Sequence, residues 1–183
     1  MLAWGGPSTA TMLTQLFTAC WKLGNMPAQW DKALIRYIHK GGNQSKLEIS
    51  NYRPISLLST VAKLFTIVWL PRLMAPLSDE LVQEQGCGKS GQGHLEHLWA
   101  FMATVVQGME DSPDGEVFAM FADVSKAYDQ VWRDALYLML YGYGIRGQLL
   151  ILIQRWLDKA CAVTEWNGVR GPAVALQQGL RQG

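Results

Sequence analysis

The sequence predicts one α+β domain. Some segments set apolar residues at helical spacing, while others alternate or run apolar over six or seven residues rich in branched and aromatic side chains. No linker or internal repeat separates the two kinds. At 183 residues, 49% of them hydrophobic and with no low-complexity tract, the chain is long enough for a real core and unlike a disordered one.

The elements follow in order. Residues 8–23 step through Met12, Leu13, Leu16, Phe17, Cys20 and Trp21, with Ser8 or Thr9 as a cap and Gly24 as the stop, which predicts a helix. Residues 33–39 alternate and predict a strand. The stretch 40–46, KGGNQSK, is a loop. Residues 52–58 are extended, because Pro54 biases Arg53 away from helix. A helix is expected over 60–77, kinked or broken at Pro71. Four glycines in 83–93 mark a loop, and Leu95, Leu98, Met102, Val105 and Met109 then form one helical stripe. A turn over 110–116 leads to VFAMFAD, 117–123, which reads as a strand covered on both sides. Residues 126–141 and 147–159 read as helices. Asn167-Gly168, flanked by strand-like residues, predicts a hairpin.

Charge is uneven behind a net +1. Residues 30–75 hold seven Lys and Arg against Asp31 and Glu48, while 76–117 hold eight acids against Lys89. The basic half suits phosphates, or is a solvated face. Cys20, Cys87 and Cys161 are too scattered for a disulfide framework and fit a reducing, intracellular setting, cytoplasmic or nuclear. No basic region followed by an apolar core opens the chain, which argues against a secretory signal. The longest apolar stretch, 64–77, carries Pro71 and Arg72 and is short for a bilayer, so no membrane partner is expected. His94 and His97 share a helix face near Cys87, but no fourth ligand stands at a zinc-like spacing.

The chemistry concentrates in FADVSKAYDQVW, 121–132. A carboxylate closing a buried strand needs a cation, because burying it unpaired is costly. A hard divalent metal held with substrate phosphates would answer for Asp123, and so would a helix N-terminus or a nearby arginine.

This block and NYRPISLLSTVAKLF, 51–65, resemble two blocks of the reverse transcriptases of non-LTR (LINE-type) retrotransposons. The likeness begins near MPAQWDKALIRYIHKGG, 26–42, and continues in order to GLRQG, 179–183. It implies a right-hand polymerase fold, with an N-terminal extension and fingers over about residues 1–110 and the first part of the palm over 111–183. It implies transfer of deoxynucleotides to a DNA primer 3′-hydroxyl on an RNA template, with two Mg²⁺ ions. Asp123 matches the first catalytic aspartate, and the main-chain carbonyl of Val124 would also touch metal. Tyr128 matches the aromatic residue that excludes ribonucleotides, although packing alone would also explain it. Arg53 matches the arginine that grips the triphosphate, for which a forked guanidinium is suited. Gln182 matches the glutamine beside the nucleotide. Lys40 and Lys63 are candidates for phosphate or template contact, Lys63 being equally explained as an exposed helix lysine. Asp129 is explained by a place in a first helical turn and is not assigned to metal.

The sequence also departs from that family. No Asp-Asp pair occurs in the 183 residues, so the remaining metal carboxylates are lacking and the chain alone is expected not to polymerise. Cys87 and Gly88 stand where the family has an aromatic and a basic residue, and Pro71 interrupts a helix that the family continues. No specific protein partner is implied. The alternative to a polymerase segment is a remnant that only binds nucleic acid.

Overall fold

The computed structural model describes residues 6–78, 80, 85–86 and 93–181. The chain divides into two compact units, residues 1–76 with 126–183, and residues 77–125. In chain order the elements are α1 (Gly6–Leu23), β1 (Lys32–His39), β2 (Tyr52–Leu57), α2 (Thr60–Leu77), α3 (His94–Asp111), α4 (Arg133–Gly142), α5 (Gly147–Asp158), β3 (Cys161–Trp166) and β4 (Val169–Ala175). The chain is mixed α and β, as the sequence predicts.

The first unit carries a four-stranded sheet in the order β2-β1-β3-β4. β1 pairs antiparallel with β2 and parallel with β3, and β3 pairs antiparallel with β4. Asn167 and Gly168 join β3 to β4 with φ of 49° and 80°. Positive φ at both central residues is what a tight type I′ hairpin demands, hence Asn-Gly.

The core sits where helices meet the sheet. Phe17, Trp30 and Phe65 form an aromatic cluster, with centroids 5.0 to 6.4 Å apart. Trp69 and Trp156 meet edge-on at 6.0 Å and join α2 to α5. Leu152 and Ala33 are fully enclosed, at 0% and 1% exposure. The C-terminal carbonyls of α1 have no intrahelical donors, and α5 supplies some. Gln148 Nε2 donates to the Trp21 carbonyl, and Arg155 Nη1 donates to those of Leu23 and Gly24 at 3.2 and 2.8 Å.

α2 is the one helix among the described residues long and apolar enough, by length and composition alone, to cross a membrane. Its buried Ala62, Phe65 and Trp69 belong to the core just described. The expected kink or break at Pro71 does not end the helix, which runs through both Pro71 and Pro76. The bond lost at Pro71 is to the carbonyl of Ile67, a residue 60% exposed, so water can replace the missing donor.

The second unit contains α3 and the segment after it. Glu96 Oε2 accepts the Gly93 N–H at 2.8 Å and caps α3. The expected turn over 110–116 is present, with Gly115 at φ 66° bonded back to Ser112. The expected strand over 117–123 is not. The run has no ladder among the described residues, and Phe118, Met120 and Phe121 are 92%, 93% and 82% exposed. An apolar run signals burial but cannot supply the neighbouring strand that its backbone requires. Within the unit, Phe121 packs on Phe101 of α3 at 5.6 Å.

The helix expected over 126–141 also starts late, at Arg133. Lys126 has φ 49°, a left-handed conformation that stops helix propagation. The carbonyls of Tyr128 and Val131 accept from Leu180 and Gly179 at 2.7 and 3.0 Å, not from the next helical turn.

Candidate nucleotide and nucleic-acid site

The best-defined feature of the first unit is the seating of residues 176–181 against the turn at 126–131. Besides the two backbone bonds just given, Gln178 Nε2 donates to the Asp129 carbonyl at 3.3 Å. Gly179 has φ 78°, and a Cβ there would lie 2.9 Å from Asp129 Cα and from the carbonyl oxygens of Asp129 and Tyr128. Both the backbone sign and the close approach require glycine. Gly179→Ala is expected to cost at least about 1–3 kcal/mol, because left-handed strain adds to a clash with backbone that cannot swing away. A urea unfolding curve checks it, and an unchanged midpoint would show that the turn can give way.

Arg133 fastens the same segment from beneath. It is 6% exposed, and its guanidinium donates to the carbonyls of Gly179 (3.0 Å), Leu157 (2.6 Å), Leu176 (2.7 Å) and Gln178 (3.2 Å). Sequence reasoning passed over it. One signal was available: a cation in the first turn of α4 lies against the helix dipole, so it needs a tertiary reason to be there.

Arg181 is the second missed residue. It donates to the carbonyls of Trp30 and Trp156 at 3.1 and 2.9 Å and lies 5.4 Å from the Trp156 ring centroid. Burial pushes its pKa down, and Asp31 pulls the other way. Burial likewise raises the Asp31 carboxyl, partly offset by Lys159 and Arg181.

Of the residues singled out from sequence, Tyr128 is on the turn, half-exposed, its backbone tied to Leu180. Lys63 comes to the same neighbourhood. With Arg181, Leu180, Trp156, Leu157, Leu58, Thr66 and Ile67 it lines a cleft of about 410 Å³. Arg53 is exposed on β2 and makes no ion pair among the described residues. The Lys40 ammonium donates to the Ser50 carbonyl at 2.8 Å and closes the loop between β1 and β2. Arg53 stands on the sheet, Lys40 in the loop between β1 and β2, and Lys63 beside the cleft. Gln182 and Cys87 lie outside the described residues.

Asp123 and Val124 belong to the second unit and are exposed. A carboxylate and a main-chain carbonyl are oxygen donors of the kind Mg²⁺ takes, with phosphates completing its shell. No group of three His, Cys, Asp or Glu side chains able to hold a metal occurs among the described residues. The donors fit in kind.

No family model matches the chain. Individual proteins do. Over 126 residues the chain is 31% identical to the probable RNA-directed DNA polymerase from transposon BS of Drosophila melanogaster, covering 68% of this chain and 14% of that protein. It is 30% identical over 139 residues to the probable RNA-directed DNA polymerase from transposon X-element of the same fly, covering 70% and 14%. The RNA-directed DNA polymerase from its mobile element jockey is 24% identical over 173 residues, covering 93% and 18%. The chain belongs to the RNA-directed DNA polymerases of non-LTR retrotransposons, and it spans less than a fifth of the length of these relatives.

Proposed function

We propose that these residues form part of the nucleotide and template site of an RNA-directed DNA polymerase, within a right-hand fold. About residues 1–110 are then the N-terminal extension and fingers, and 111–183 the first part of the palm. The substrates are an RNA template, a DNA primer and deoxynucleoside triphosphates. The observation that carries this reading is the ordered match to retrotransposon polymerases over 68% to 93% of the chain. The seating of 178–180 on the Tyr128 turn supports it, since two segments implicated by sequence are 50 residues apart yet share backbone bonds.

In this reading Asp123 and the Val124 carbonyl would hold divalent metal, which when bound stabilises charge on the attacking and leaving oxygens. Arg53 pairs with triphosphate oxygens, and Gln182 lies beside the nucleotide. Tyr128 acts by bulk, rejecting a 2′-hydroxyl while tolerating 2′-hydrogen. In a longer polymerising chain that contains this segment, Tyr128→Val is expected to raise ribonucleotide incorporation relative to deoxynucleotide by about 10-fold or more, since a steric discrimination of 1.4 kcal/mol is tenfold. Competition between the two nucleotides at one template position measures it. An unchanged sugar preference at retained activity would make Tyr128 a packing residue.

A second reading keeps binding without chemistry. Primer extension by a longer chain that contains this segment, with Mg²⁺ and all four deoxynucleotides, decides between them: templated product that Asp123→Asn abolishes excludes the second reading, and nucleic-acid binding without product supports it.

A further inference from the structure

The outer face of the sheet carries a charged row that neither the sequence reading nor the family match assigns. Strand register puts Leu34, Arg36 and Ile38 of β1 on the same face as Arg53, Ile55 and Leu57 of β2 and Val163 and Glu165 of β3. Arg36 is directly opposite Glu165, and Glu165 is directly opposite Arg170 of β4. Arg53 is one diagonal step from Arg36, since Arg36 faces Ile55 and Ile38 faces Arg53. Three arginines and one glutamate therefore cross all four strands. The face is open: Ile38 is 58% and Leu57 43% exposed.

Glu165 is held from both sides. Arg36 Nη2 pairs with its Oε1, and Arg170 Nε with its Oε2 at 2.8 Å. The carboxylate side chain is only 10% exposed, whereas those of Arg36 and Arg170 are 58% and 66% exposed. Each guanidinium spends part of its donor set on one carboxylate and keeps the rest toward solvent. The shared carboxylate fixes two flexible arginines in one geometry and removes one unit of charge from the row.

We propose that the triad Arg36–Glu165–Arg170, next to Arg53, is a binding surface for the sugar-phosphate backbone of a single-stranded nucleic acid, with Glu165 as an internal counter-ion that orders the two arginines and restrains their affinity. It rests on the nucleic-acid reading above and adds Arg36, Arg170 and Glu165 to it. Charge complementarity selects the occupant. The row keeps net positive charge and free forked donors in line across the strands, and regularly spaced anions meet that need. Arg36 and Glu165 also line a cleft of about 380 Å³ with Tyr37, Trp166, Asn167 and Gly168. Contacts to phosphate carry no sequence information, so binding through the row is tolerant of sequence.

The test measures the affinity of the 183-residue chain for a single-stranded oligouridylate across a salt series. Each lost phosphate contact flattens the slope of log K against log salt by about 0.7 for a single strand. Arg36→Gln and Arg170→Gln are each expected to weaken binding and flatten the slope by that amount, whereas Arg36→Lys retains it. Glu165→Gln is expected to do the reverse, tightening binding and steepening the slope, an effect that partial unfolding would not produce. If the double variant Arg36→Gln/Arg170→Gln keeps the wild-type slope while Arg53→Gln flattens it, the row is not the surface and the Arg53 assignment stands. If polyglutamate competes as well as the oligonucleotide, the occupant is an acidic polypeptide and the proposal is wrong. If the wild-type chain binds no oligonucleotide at low salt, the nucleic-acid reading itself falls with it.

Discussion

Asp123→Asn, made in a longer chain that polymerises, is expected to lower primer extension on the order of 10³-fold, the scale seen when one charge-stabilising group is removed from a site. The substitution keeps size and one oxygen acceptor and removes only the negative charge. Asp123 is exposed, so little packing depends on it and stability is expected to be unchanged. Asp129→Asn is the matched control: its exposed position within the turn, with its amide bonded to the Lys126 carbonyl at 2.9 Å, gives it a local structural role. Extension should be followed under single-turnover conditions, with binding of primer and template measured separately. A loss of rate at unchanged binding supports Asp123 as a catalytic residue. Equal effects of Asp123→Asn and Asp129→Asn would remove the distinction between them and with it the alignment of this block.

Arg133→Met is expected to be the largest destabilisation, about 3–5 kcal/mol, out of a total that for a domain is about 5–15 kcal/mol. Methionine fills much of the same space, so packing is largely kept. The loss is four hydrogen bonds from a charged donor to carbonyls contributed by residues 157, 176, 178 and 179. Each buried acceptor left without a donor costs about 1–3 kcal/mol, less wherever water reaches it. Arg133→Lys should recover part of the loss, since an ammonium has three donors but no planar fork to span four carbonyls. Urea unfolding gives the midpoint shift. Hydrogen exchange at the Gly179 and Leu180 amides, which bond to Val131 and Tyr128, should accelerate in the same variants. A shift below about 1 kcal/mol would mean that water substitutes for the guanidinium.

These residues show which parts of the chain are legible from sequence and which are not. The 161–175 hairpin is readable because Asn167-Gly168 satisfies a purely local demand for positive φ. The helices around Phe17, Phe65 and Leu152 are readable because a buried stripe repeats within a few residues. Residues 126–132 misled because their composition suits a helix, while their carbonyls are used by residues about 50 positions later. The 117–123 run misled in the opposite way, by offering a strand composition without a strand to pair with. Within the candidate site, Tyr128 and Lys63 could be picked out by their blocks, and both come near Leu180. Arg133, Arg181 and the Arg36–Glu165–Arg170 row could not, because each is defined by partners far away in sequence.

The sheet's connectivity has a consequence for how the chain is made. β1 lies at its centre, but only one neighbour, β2, emerges soon after it, and Arg36 waits 129 residues for Glu165. At about 5–20 residues per second of translation, roughly 6–26 s pass between the two. For that interval the nascent chain presents one side of β1 as an unpaired strand edge, a template for pairing with other chains. Closing the sheet across so long a loop is also slow once the ribosome has released β3. Translation speed and edge-shielding chaperones therefore become determinants of soluble yield, and expression at reduced temperature with chaperone support is the condition that favours it.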